Sequence, residues 1–424
     1  MIKIIKGIFS TSTFQHTVVT SAGTIINGIL GLIFYVWMAR ILGPASFGIF
    51  SVATTTTALL SSIFNVGVDT GIVRFVGRYF TSDPEKANKF LKIALKVKMI
   101  SGILLIFIGW MISPIIIRLI FNKPELIFPI RLSLVGAFGW LLSSFATSTV
   151  QAMQKFWHWS GLNISINLLR LLAIEILVLL NLIHLDSGLY VYVVTSFFGF
   201  FLGLMFLPKF WNVKNEKEVA GDFFKYNKWV AIFTVIVAIS SRVDTYLSTR
   251  LISFSDLGIY SVATNLSSIV PEIVLALATV VAPKFANQRN NVEAKKYFNK
   301  LQLFVLGLAV VGLVFGIPFS YFLIPKLYGP EYLRSVLPFS ILLLAQAVFL
   351  ISVPIHTAIF YYFSYPKIFV KIALAHLFLV LILGWIFIGK FGYVGAAFTM
   401  LMGNIFNLVI PGFWVMNQFR KEDK

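Results

Sequence analysis

Long apolar runs separated by short polar breaks set the pattern of this chain. A run of about 20 apolar residues crosses a ~30 Å hydrocarbon layer as a helix. Twelve such spans are predicted, at 14–37, 45–68, 99–121, 130–151, 161–182, 188–208, 227–248, 257–281, 301–324, 336–360, 368–389 and 393–416. The breaks leave no room for a soluble catalytic domain. Two are longer than the rest. In the first, Ser82-Asp83-Pro84-Glu85 is a helix start, with a capping side chain and a proline at the first helical position. The basic segment Lys86 to Lys98 then reads as a solvated or headgroup-bound surface helix, and Glu293 to Lys300 plays the same part later in the chain.

The pattern is also written twice. Arg40 to Thr54 aligns without gaps on Arg250 to Thr264, an offset of 210 residues, with Arg40/Arg250, Gly48/Gly258, Ile49/Ile259 and the whole Ser-Val-Ala-Thr run identical. Phe14/Phe224, Arg74/Lys284 and Phe75/Phe285 keep the same offset. Chance would give roughly one identity in 16, so this is an internal duplication. Six spans per copy is even, and the copies therefore share one orientation in the membrane. The expected fold is an all-α polytopic membrane protein of two parallel six-helix lobes, residues 1–210 and 227–424, joined by a cytoplasmic linker at 211–226. Fused repeats in a membrane point to a transporter, in which the repeats rock about a shared site.

Composition agrees: 58% hydrophobic, 12% charged, 43 phenylalanines and a mean hydropathy of +0.89. Cysteine is absent, which excludes disulfides, thiolate catalysis and cysteine-held metals. Lys3 and Lys6 lead into a run long enough to span, so no cleavable signal is expected. The net charge of +19 invites a nucleic-acid reading, but topology explains it. With the N-terminus inside, 25 of the 35 Lys and Arg fall in cytoplasmic segments and 8 in outer loops. This bias puts both termini in the cytoplasm of a multi-pass cell-membrane protein, with anionic lipids as partners and no nucleic acid.

Only Arg170 and Arg242 are left well inside spans, away from their ends. Polar residues there are costly and mark function or helix contacts. Asn27, Ser51, Thr54, Ser62 and Asn65 recur at helical spacing in the first two spans, and Ser261, Thr264, Asn265 and Ser268 in the eighth. Repeat symmetry favours a shared water-filled cavity lined by these faces; hydrogen bonding between helices is the plainer alternative. Arg170 and Arg242 are candidates to hold an anion through phosphate contacts, with Arg74 and Lys284 at its cytoplasmic approach. Asp244, Glu272 and Glu175 are candidates for Na⁺ or proton coupling, and Pro271 permits a kink beside Glu272. Five scattered histidines make no metal motif, and no cofactor is expected.

Gly-Pro-Ala-Ser-Phe-Gly-Ile-Phe-Ser-Val-Ala at 43–53 and Asn-Val-Gly-Val-Asp-Thr-Gly-Ile-Val-Arg-Phe-Val at 65–76 resemble the first-half signature of the Wzx-type polysaccharide biosynthesis proteins. Arg-Val-Asp-Thr-Tyr-Leu at 242–247 with Asp-Leu-Gly-Ile-Tyr-Ser-Val-Ala at 256–263 is similar to their second-half signature. Asp244 is kept, while Thr245 stands where a basic residue is usual and Arg242 precedes it. These oligosaccharide flippases form part of the multidrug/oligosaccharidyl-lipid/polysaccharide (MOP) superfamily. The resemblance implies two lobes around a V-shaped cavity, alternating access, and an oligosaccharide on a polyprenyl (pyro)phosphate as cargo. Polysaccharide assembly enzymes are then candidate partners. A multidrug cation antiporter of the same superfamily and an integral-membrane glycosyltransferase or polymerase are the rivals. The first wants an acidic cavity, the second outer-loop acids or histidines, and the chain is expected not to be an enzyme.

Overall fold

A computed structural model describes residues 12–214, 216–286, 288, 290–363, 365 and 367–422. Among them there is helix and no strand. Among the described residues ten helices are long and apolar enough to cross a membrane. Two of the ten are broken inside, so they count as pairs and the spans number twelve, as the apolar runs predict. The first, α1 (Ser12–Phe64), leaves helical geometry at Gly43 (φ 69°, ψ 171°). Only glycine takes this conformation freely, and Pro44 then starts the next helix with its φ already set. The last such helix (Lys367–Glu422) breaks at Gly392 (φ 58°, ψ −136°).

By contacts the chain forms two compact units, one of residues 1–41 and 49–238, the other of 42–48 and 239–424. The first unit continues from α1 through Val66 and Gly67, both left-handed (φ 49° and 71°), into the short turns Val68–Gly71, Ile72–Val76 and Gly77–Tyr79. Then follow α2 (Pro84–Ile116), α3 (Ile127–Ala152), α4 (Phe156–Leu179), α5 (Leu185–Leu204), the turn Glu216–Val219 and α6 (Ala220–Ser240). Asp83 caps α2 as its sequence predicts, its carboxylate accepting from Lys86 N at 3.0 Å with Pro84 at the first position. The segment Lys86 to Lys98 is not a separate surface helix. It is the first four turns of α2, because nothing between Pro84 and the apolar run interrupts helical propensity.

Ala87, Leu91, Ala94, Leu95, Gly102 and Leu105 of α2 are buried, one face at helical period. Phe90 stacks on Phe75 at 4.6 Å in a core that includes Ile72, Val76, Phe145, Phe210 and Phe223. Ile103, Phe107, Met111 and Ile115 face outward, as lipid contact requires. Residues 211–226, read as a linker, are strapped to α2. Glu218 accepts from Lys89 (2.9 Å), the Val213 carbonyl from Lys92, and Glu216 from Lys96.

The second unit holds α7 (Val243–Leu251), α8 (Phe254–Ser267), α9 (Ile269–Ala286), α10 (Asn291–Tyr328), α11 (Val336–Thr357) and α12 (Lys367–Glu422). Asn290 caps α10, so Glu293 to Lys300 is again the start of a long helix. The break before α9 falls at Ser268, and Pro271 sits in the first turn of α9. Residues 42–48 belong to this unit through a tight crossing. A Cβ on Gly48 would lie 2.1 Å from the Phe254 carbonyl oxygen, and one on Gly258 would lie 2.0 Å from that of Pro44. Positions 44/254 and 48/258 are related by the 210-residue repeat, so the contact is made twice in the same way.

Candidate functional site

Arg170 is carried on the middle of α4 and is only 5% exposed. Its neighbours come from three other helices of the same unit. Nε donates to Thr195 Oγ1 on α5 at 2.9 Å, and Nη1 to Asn167 Oδ1 one turn back at 3.2 Å. Asn167 in turn donates to Asn27 Oδ1 on α1 at 2.7 Å. The guanidinium carbon lies 4.3 Å from the ring centre of Tyr192, 5.6 Å from Trp140 and 5.9 Å from Phe34. Nη2 is buried without a hydrogen-bond partner among the described residues, and no carboxylate pairs with the guanidinium there. A buried guanidinium costs several kcal/mol unless an anion or a set of acceptors answers it. Here the acceptors are neutral and the walls are π-faces, worth about 1–2 kcal/mol each when desolvated. Among the described residues no anion answers the guanidinium, and Nη2 is left unused.

Within the first unit the structure brings Asn27 to Arg170 through Asn167. Arg242 is exposed and sits inside the candidate span Glu216–Leu251, at the N-cap of α7 where that span is broken between Ser240 and Val243. Arg74 is exposed, its guanidinium 4.3 Å over the Tyr226 ring. Lys284 and Glu272 are exposed, and Glu175 is half-buried. Asp244 is buried at 4% exposure in the second unit, where Tyr260 donates to its Oδ2 at 2.6 Å.

The hydroxyl faces satisfy themselves. Thr54 donates to Ser51 O, Ser62 to Ala58 O, Ser261 to Leu257 O, Thr264 to Ser261 O and Ser268 to Asn265 O, at 2.7–3.1 Å. Asn65 Oδ1 and Asn265 Nδ2, by contrast, are buried without partners among the described residues.

One group escaped the sequence reading. Lys98, assigned to the solvated basic segment, is fully buried. Its ammonium donates to Asp69 Oδ1 (2.5 Å), Ser144 Oγ (2.5 Å) and Leu141 O (3.0 Å), three acceptors for three N–H bonds. The signal was present: Lys98 lies on the Ala87–Leu91–Ala94–Gly102–Leu105 face, whereas Lys89, Lys92 and Lys96 share another. Its partners stand 29 and 46 residues away, and no local spacing reveals them. Thr195, Tyr192 and Trp140 were missed for the same reason.

Comparison with known proteins places this geometry. Residues 14–289 match the family described as polysaccharide biosynthesis protein. Over 106 residues the chain is 26% identical to the lipid II flippase MurJ of Bacillus subtilis (strain 168), a stretch covering 25% of this chain and 20% of that one. A solved lipid II flippase MurJ in an inward closed conformation superposes with a TM-score of 0.77 at 18% identity, covering 95% of this chain and 89% of the other. An inward-facing multidrug resistance MATE family transporter of the MOP superfamily gives 0.74 at 13% identity, covering 94% and 95%. A MOP superfamily transporter from Pyrococcus furiosus gives 0.63 at 15% identity, covering 96% and 95%. These are flippases and transporters rather than enzymes, and the likeness shows a shared MOP fold. The match to its family model spans more than half the sequence, and this chain belongs to the polysaccharide biosynthesis protein family.

Proposed function

We propose that this protein is a flippase that carries a polyprenyl-(pyro)phosphate-linked oligosaccharide from the cytoplasmic to the outer leaflet by alternating access. The observation that carries the reading is Arg170, a buried guanidinium with an unused Nη2 and no carboxylate beside it among the described residues. A phosphate is the anion such a planar fork receives best. Asn27 and Asn167 extend the site with amide groups suited to sugar hydroxyls. Membership of the polysaccharide biosynthesis family and the fold shared with lipid II flippases support a lipid-linked cargo. Arg74 and Lys284, both exposed, serve as attracting charges on the cytoplasmic approach. Arg242, exposed at its helix break, receives the phosphate in the second half of the cycle.

Asp244 is the strongest ion-coupling candidate, since its carboxylate is buried and bonded to a neutral phenol; Glu272 and Glu175 are more open to water. The same buried acid favours a second reading, cation antiport, which the MATE fold also supports.

The test is transfer of a fluorescent polyprenyl-linked oligosaccharide across proteoliposome membranes. Transfer by the parent and its loss in Arg170→Ala, with insertion unchanged, is the expected result. Undiminished transfer in Arg170→Ala refutes the role of Arg170. Dye efflux by the parent without lipid transfer would establish the antiporter reading instead.

A further inference from the structure

Three lysines near the start of α2 lie on the same face as its lipid-exposed stripe. Lys89, Lys92 and Lys96 run on into Ile100, Ile103, Phe107 and Met111 in steps of three and four residues, all within about 100° around the helix. The four apolar side chains are 54–66% exposed, as contact with bilayer chains requires. Lys98 points to the opposite side and is buried. With the turn Ile117–Phe121, α2 forms a span of 38 residues. That is about 57 Å at 1.5 Å per residue, nearly twice the ~30 Å hydrocarbon layer. Its first turns therefore stand outside the hydrocarbon, on the side that the Lys and Arg bias puts in the cytoplasm. Lys96 lies about 6 Å and Lys92 about 12 Å along the axis before Ile100. A headgroup layer is about 5–8 Å thick, and flexible lysine stems reach up to it. The row thus continues the lipid-facing stripe at the level of the lipid phosphates.

Carboxylates of the protein itself take that place in the structure. Glu218 lies 2.9 Å from Lys89, Glu216 lies 3.6 Å from Lys92 and is bonded to Lys96, and Glu85 lies 3.4 Å from Lys89. The Val213 carbonyl accepts from Lys92 as well. Among the described residues, three carboxylates balance the three ammoniums of the row. Two of the three belong to the strap, so without it the row carries two uncompensated positive charges. The pairs remain open to competitors, with Lys96 56% and Glu218 59% exposed. An exposed ion pair shifts an equilibrium by about fivefold at most. A lysine beside an anionic leaflet gains about as much. Neither set of partners prevails by itself, and the charge of the leaflet decides between them.

We propose that Lys89, Lys92 and Lys96 form a binding site for the phosphates of anionic bilayer lipids, and that Glu216 and Glu218 compete with those lipids for it. A zwitterionic head group brings its own cation and gains nothing comparable, so the occupant carries net negative charge. The stripe above the row is coated by ordinary bilayer chains, which makes a bilayer lipid, rather than a transported one, its neighbour. Lipid composition of the cytoplasmic leaflet then sets whether residues 211–219 are held on α2 or released.

The chain has no cysteine, so Lys217→Cys carries a single nitroxide on an exposed position of the strap. In vesicles of phosphatidylcholine the label should be immobile, and its mobile fraction should grow as phosphatidylglycerol replaces phosphatidylcholine at constant salt. Glu216→Gln/Glu218→Gln should be mobile in phosphatidylcholine alone. After extraction from mixed vesicles it should also retain more phosphatidylglycerol than the parent, roughly fivefold for each lysine released. Lys89→Gln/Lys92→Gln/Lys96→Gln should be mobile at every composition and retain no excess of phosphatidylglycerol. Spectra of the parent that do not change with phosphatidylglycerol overturn the proposal, whatever the variants do. Equal phosphatidylglycerol retention by the glutamine variants of the acids and of the lysines overturns it too. Release of the strap by polyprenyl phosphate but not by an equal amount of phosphatidylglycerol would assign the row to a transported lipid and overturn it likewise.

Discussion

Asp69→Asn should damage this protein more than Lys98→Met, although the two residues form one ion pair. Lys98 is completely buried, while the Asp69 side chain is 25% exposed. Neutralising Asp69 leaves an ammonium in the interior with no counter-charge, its acceptors now all neutral: the new amide oxygen, Ser144 Oγ and Leu141 O. Breaking a buried pair in this way costs about 3–5 kcal/mol, and the neutral acceptors that remain place the cost near 3. Removing the lysine leaves a carboxylate that water can reach, at a cost nearer ~1 kcal/mol. For a unit of this size, ~3 kcal/mol lowers the unfolding midpoint by about 6–12 °C. The double variant Asp69→Asn/Lys98→Met has no stranded charge and should recover most of that loss. Unfolding in detergent, followed by tryptophan fluorescence, measures all four proteins; if unfolding is irreversible, half-lives at one temperature give the same order. A double variant as unstable as Asp69→Asn alone, or an Asp69→Asn protein within 0.5 °C of the parent, would refute the account.

In the second unit, Tyr260→Phe takes the phenol from buried Asp244 and should cost about 1–3 kcal/mol, seen as a lower unfolding midpoint. Gly258→Val sets a Cβ 2.0 Å from a backbone oxygen that cannot rotate away, so folded yield should fall sharply; Gly307→Ala, with open space around it, should be silent by size-exclusion chromatography. Glu216→Ala/Glu218→Ala frees the strap from Lys89, Lys92 and Lys96, and trypsin should then cut at Lys214 and Lys217 faster than in the parent. Raising the salt should speed cleavage of the parent toward the same rate.

The architecture was legible because a bilayer demands one simple pattern, and the apolar runs and the 210-residue repeat state it directly. Asp83-Pro84 marked a helix start for local reasons and proved to be one. Positions that depend on distant partners were harder. Arg170 was recognisable as a charge inside a span, yet Thr195, Tyr192 and Trp140 reach it through tertiary packing. Lys98 was misplaced because a run of lysines suggests solvent, although its phase on the helix set it with the apolar face. Arg242 was recognisable as a charge inside a span, yet the helix break beside it was not, because hydropathy averages over that break.

The serines and threonines on these helices are tolerant of both dry and wet surroundings. Thr54, Ser62, Ser261, Thr264 and Ser268 each have a carbonyl of their own helix as acceptor, so contact with hydrocarbon or a packed neighbour strands none of these donors. When water or a sugar arrives, the hydroxyl needs only a turn about one bond to change partner. Asparagine has a larger amide that no carbonyl one turn back satisfies completely, as the unpaired atoms of Asn65 and Asn265 illustrate. Hydroxyl side chains therefore make these faces reversible at little energetic cost, a property suited to surfaces that alternate between being covered and being open.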